Sequence, residues 1–138
     1  MTALVRDREV RTLLVVDAAN VIGSRPTGWW RDRPGAARAF TAQLRAAVRS
    51  GALADAMIVV LEGQSRRGAD EGTTDGVEVV HAPGEGDDTI AAVAAEHCGC
   101  TVVTADRALA DRARAVGADV VGPTWLLERL DDTDDTPR

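Results

Sequence analysis

Four short runs, residues 13–16 (LLVV), 57–61 (MIVVL), 77–80 (VEVV) and 101–104 (TVVT), are apolar and rich in β-branched side chains, with little polar alternation. Runs of this kind suit strands covered on both faces, the normal condition of a parallel sheet. Segments with helical spacing lie between them, so the order reads strand, helix, strand, loop, strand, helix, strand, helix, short strand, helix. That alternation predicts an α/β domain built on a mostly parallel central sheet. A chain of 138 residues suits one domain. We place it at residues 1–130, with the acidic segment 131–138 (DDTDDTPR) as a disordered tail.

The residues that close these runs say more about chemistry than the runs themselves. Asp17 ends the first, within VVDAAN; Glu62 ends the second and His81 the third; Asp106 comes just after the fourth, within TAD. The segment GEGDD adds Asp87 and Asp88 where the middle helix should open. Acids meeting at the carboxyl edge of a parallel sheet, where such folds bind ligands, point to a hard divalent cation, Mg²⁺ or Mn²⁺, held by Asp17, Asp87, Asp88 and Asp106. The competing explanation is helix capping, since an Asp at a helix start accepts from free backbone N–H groups and suits the helix dipole. Capping accounts for any one of these residues. It accounts less well for the Asp87 and Asp88 pair, because one cap suffices, or for three junctions alike.

Asp111 lies five residues beyond Asp106, about 140° further round an ideal helix, and is a candidate fourth acid. Glu62 is a peripheral candidate. His97 is expected on an apolar helical face as a core residue, alongside Ile90, Val93 and Ala94, and His81 as a loop residue. The first long helix should run from Pro34 to Ser50, stopped by Gly51, with Ala37, Phe40, Leu44 and Val48 facing inward. Trp125 is expected to pack within the last helix.

The net charge of −6 alone argues against a nucleic-acid ligand, but its distribution does not. All sixteen basic residues are arginine. Residues 20–67 hold eight of them (25, 31, 33, 38, 45, 49, 66 and 67) against three acids, a net +5, whereas residues 68–127 hold three against eleven, a net −8. A basic face beside an acidic pocket would hold a phosphate backbone against bound cations; ordinary solvated helix faces are the alternative, above all for Arg45 and Arg49. Within the loop GSRPTGWWRDR, residues 23–33, Trp29 and Trp30 stand among Arg25, Arg31 and Arg33. Rings and guanidinium groups together suit single-stranded nucleic acid, through base stacking and phosphate contact. The other reading has at least one indole folded back as a lid on the core.

The N-terminus lacks a signal-peptide core and no run approaches a membrane span, so a cytoplasmic protein without membrane contact is expected. Cys98 and Cys100, separated by one glycine, are too close for an ordinary disulfide and have no partner pair for zinc, so both are expected to be buried thiols.

In this order and spacing, DAAN (Asp17 to Asn20), GDDTIAAVA (from Gly86) and VVTADRAL (from Val102) make residues 12–130 resemble the PIN-like nuclease superfamily, and within it the NYN branch that includes YacP-like proteins. The resemblance implies a three-layer α/β/α Rossmann-like PIN fold and a metal-dependent ribonuclease acting on single-stranded or structured RNA. Asp17 matches the first-strand acid, Asn20 the polar residue that gives the branch its name, Asp87 or Asp88 the middle-helix acid, and Asp106 the acid after the fourth strand. Asn20 would orient a water or a substrate oxygen, and Thr104 could do so through its hydroxyl. Two other readings remain: a catalytically weak PIN-like module binding RNA or a protein, and a metal-dependent phosphatase or nucleotide hydrolase. The second lacks the D-x-D of haloacid-dehalogenase-type phosphatases. A phosphate-accepting receiver domain is disfavoured, because no lysine exists to meet the phosphoryl group. Oligomeric state stays open at this level, a homodimer included.

Overall fold

The computed structural model describes residues 12–51 and 53–134. Among these residues, six strands form one sheet in the order β3-β4-β2-β1-β5-β6: β1 (Leu13–Asp17), β2 (Ala56–Leu61), β3 (Gly72–Thr74), β4 (Val77–His81), β5 (Thr101–Val103) and β6 (Asp119–Val121). All pairings are parallel except β3 with β4. Five helices accompany them: α1 (Ala18–Gly23), α2 (Arg33–Ser50), α3 (Gly86–Glu96), α4 (Arg107–Ala115) and α5 (Pro123–Asp134).

The central strands are apolar on both faces because both are covered. Leu14, Val16, Met57, Val59 and Leu61 pack with residues of α1, α2 and α5, among them Val21, Phe40, Leu44 and Leu126. Val15, Ile58, Val60 and Val102 pack with residues of α3 and α4, among them Ile90, Val93, Leu109 and Ala113. Two cores sandwich one sheet, which makes three layers, α/β/α. From β1 the chain winds to β2 and β4 on one side, then crosses to β5 and β6 on the other. The direction therefore reverses beside β1, and the crevice between the carboxyl ends of β1 and β5 is the topological switch point.

Helix α2 runs as its sequence signals require. Asp32 caps it by accepting from the Gly35 N–H at 2.9 Å, Pro34 sits in its first turn, and Gly51 ends it at φ +72°. Ala37, Phe40 and Leu44 are buried in it, and Val48 is partly so. Several expectations need correcting. Helix α1 follows β1 without a loop, six residues being too short to show periodicity in sequence. Between β2 and β4 stand a 3-10 turn, Gly63–Gly68, and the edge strand β3. Helix α3 ends at Glu96, so His97 is its C-cap and is exposed instead of joining the core. Cys98 is exposed as well, and only Cys100 is buried. Helix α5 extends to Asp134, taking residues 131–134 out of the expected tail; residues 135–138 lie outside the described ones. Among the described residues no helix is long and apolar enough to cross a membrane.

Candidate active site

Asp17 is the last residue of the central strand and is only 5% exposed. Its position follows from β1 itself: Leu14, Val15 and Val16 are fixed in the two cores, and the next residue must emerge at the switch point. Both carboxylate oxygens are occupied. The Thr104 hydroxyl donates to Oδ2 at 2.9 Å from across the crevice, and the Asn20 N–H donates to Oδ1 at 3.3 Å, capping α1. Burial pushes the Asp17 carboxyl above its ordinary 3.8; these two donors pull it back, and the charges of Asp87 and Glu62 push it up further.

Asp87 stands in the first turn of α3, directly after β4, and is half-buried. Its carboxyl is also raised, first by desolvation, then by the charges of Asp106 and Glu85, with Arg112 opposing and Asp88 adding to the rise. Asp106 follows β5, where its Oδ1 accepts from the Leu109 N–H at 2.9 Å and caps α4. Glu62 leaves β2 and comes so near the start of α3 that a Cβ on Gly86 would lie 3.0 Å from its Oε1. Four strand exits thus bring Asp17, Glu62, Asp87 and Asp106 into one electrostatic neighbourhood.

Asn20 and Thr104 act as braces. The Asn20 Oδ1 accepts from the Ala105 N–H at 2.9 Å and ties α1 to the exit of β5. The Thr104 oxygen also accepts from the Asp106 N–H at 3.1 Å. Thr104 is 3% exposed, so its hydroxyl serves Asp17 and does not face a substrate, against expectation. Two acids lie apart from the cluster. Asp88 points outward, its side chain 92% exposed and paired with Arg112 at 2.9 Å. Asp111, expected as a metal ligand, is 81% exposed and pairs with Arg114 of its own helix at 3.7 Å. Glu62 stands nearer the cluster than either, acting on Asp17 and reaching the start of α3. Sequence reasoning missed Arg112, whose partners lie in another helix and leave no local pattern. His81 is held to the Ala69 carbonyl oxygen at 2.7 Å through its ring.

Among the described residues, no three His, Cys, Asp or Glu side chains lie close enough to form a ready ligand cage. The donor chemistry nonetheless fits a hard divalent cation: every candidate is a carboxylate, and burial and neighbouring negative charge raise the Asp17 and Asp87 carboxyls, costs that a bound cation would relieve. Beyond Asp17, the loop after α1 forms a 3-10 turn, Trp29–Arg31. Trp29 folds inward and lines a cavity with Phe40 and Leu127, while Trp30 stays 53% exposed. The two rings meet edge to face at 6.0 Å, with Arg33 over Trp29 at 5.3 Å and Arg31 near Trp30 at 5.7 Å. Arg25 is tied to Asp131 at 2.7 Å.

The mostly parallel sheet clad on both faces, with acids gathered at its switch point, is a three-layer α/β/α fold consistent with the PIN-like one. Among solved structures, a point mutant of Rae1 (YacP) from Bacillus subtilis is similar to this chain, with a TM-score of 0.67 and 19% identity, covering 89% of this chain and 77% of that one. At that identity the likeness shows the fold, and it agrees with the YacP-like branch that the three motifs resemble. No family model and no curated protein matches the sequence.

Proposed function

We propose that this protein is a metal-dependent ribonuclease that hydrolyses phosphodiester bonds of single-stranded or structured RNA with Mg²⁺ or Mn²⁺. The observation that carries this reading is the buried Asp17 carboxyl, fixed at the switch point and acted on by Asp87 and Glu62 from two other strand exits. The shared fold with Rae1 (YacP) supports a nuclease over an unrelated α/β hydrolase.

Asp17, Asp87 and Asp106 are the residues that would hold the ion, with Glu62 beside them. Such an ion supplies an acidified water and charge stabilisation at the leaving oxygen. The chain's own part is positional. Thr104 and the Asn20 N–H fix both oxygens of Asp17, so its carboxylate has one orientation. Asn20, its carbonyl oxygen engaged by Ala105, keeps its amide N–H groups as donors for a water or a phosphate oxygen. Arg112 sets a positive charge beside the acids, suited to a phosphate approaching them.

The test is cleavage of a labelled RNA with Mn²⁺ by the wild type and by Asp17→Asn. The wild type should cut and the variant should lose at least about a hundredfold in rate while keeping its circular dichroism; equal rates would refute the reading. Calorimetric titration with Mn²⁺ separates it from a binding module, since carboxylate-dependent heat is expected of the enzyme alone.

A further inference from the structure

The cavity behind Trp29 is unused by the chemistry described above. It has a volume of about 360 Å³ and is walled by Val21 and Ile22 of α1, Trp29, Phe40 of α2 and Leu127 of α5, with Gln43 among its polar members. It adjoins the acids through α1: Val21 and Ile22 lie four and five residues beyond Asp17, within one helix about 9 Å long. We infer that this cavity is a nucleobase pocket, taking one unpaired base of an RNA strand whose backbone crosses the carboxylates at the other end of α1; the inference rests on the ribonuclease reading.

Three features favour a base over an aliphatic ligand or a peptide side chain. The wall carries an indole already stacked with the Arg33 guanidinium, an arrangement that accepts a further π-face. The lining mixes flat apolar surface with the Thr27 hydroxyl, which can donate to or accept from a base edge. Cations outnumber acids around it: Arg25, paired with Asp131, and the helix-capping Asp32 line the cavity, while Arg31 of the 3-10 turn and Arg33 at the start of α2 lie against the Trp30 and Trp29 rings, where the phosphates on either side of an inserted base would pass. Trp30, edge-on to Trp29 and exposed, offers a second platform to the neighbouring base.

The experiment uses the full chain in EDTA, so that binding is read without cleavage, with a fluorescent single-stranded oligonucleotide and the same oligonucleotide with abasic sites. Ala39 lines the cavity from an exposed position on α2, so Ala39→Phe fills the space without entering either core. We expect abasic sites to weaken wild-type binding about tenfold, Ala39→Phe to weaken binding of the intact strand about as much, and the two losses not to add. Trp29→Phe should retain most of the affinity that Trp29→Ala loses. Equal binding of intact and abasic strands by the wild type, or full affinity in Ala39→Phe, would overturn the assignment, the latter also if the face instead docks a protein. Failure of the ribonuclease reading looks different: base-dependent binding would persist while Mn²⁺ produced no cleavage.

Discussion

Asp17 carries two costs at once, removal from water and proximity to like charge, and both favour its protonated form. The folded chain therefore holds this proton more tightly than the unfolded chain does. The resulting contribution to stability is complete below about pH 3.8 and is lost as the pH rises through the elevated folded value. Asp17→Asn removes that dependence. Its melting temperature should vary less than the wild type's above pH 4 and should equal or exceed it at pH 7, as followed by thermal circular dichroism; parallel curves would contradict the assignment. A divalent cation should reverse the ranking by binding the folded wild type alone. Thr104→Val keeps the shape of its site and deletes the hydroxyl that holds Oδ2. It should cost about 1–3 kcal/mol of stability and move the acidic limb of the pH–rate profile to higher pH, because the carboxylate loses a donor that favours its charged form.

Two glycines show how the elements hold the site. At Gly68, ending the 3-10 turn, a Cβ would collide with the Pro34 carbonyl oxygen and approach the Ala37 Cβ to 2.8 Å. The turn after β2 is thus seated directly on α2. Gly68→Ala should destabilise the protein by about 1–3 kcal/mol in urea titrations, through overpacking. Gly86→Ala, by contrast, places its Cβ 3.0 Å from Glu62. It should leave the melting temperature nearly unchanged and lower Mn²⁺ affinity, since the carboxylate can give way where a backbone cannot. At this scale the sequence is legible wherever a signal is local. The Pro34 and Gly51 boundaries place α2 to within a residue, and the β-branched runs locate four strands. Helix α1 is hidden because DAAN reads equally as a strand exit, and β3 because Gly72, Thr73 and Thr74 are exposed and turn-like. His97 misled because its spacing continues a helix that has already ended.

Across the whole molecule, the arginine-rich α2 packs on one face of the sheet and α3 and α4 of the acidic segment pack on the other. Asp17, Asp87 and Asp106 were legible as a set because each comes after an apolar run. Their ranking was not, since Glu62, Asp88 and Asp111 differ only in what they face once α3 and α4 are placed. The arginines give a measurable consequence. If about three of them meet single-stranded RNA, affinity should fall with salt at a logarithmic slope near −2, or about 20-fold from roughly 50 to 200 mM; a flat response would exclude the basic loop as the docking surface. Releasing Arg25 with Asp131→Asn should steepen that slope. The sheet order itself has a further consequence. With neighbours on both sides and a helical layer above and below, β1 belongs to the part of the molecule that opens last. The amide hydrogens of Val15 and Val16 should exchange with deuterium only through global unfolding, so heat should extinguish catalysis and secondary structure together, with no inactive folded intermediate between them.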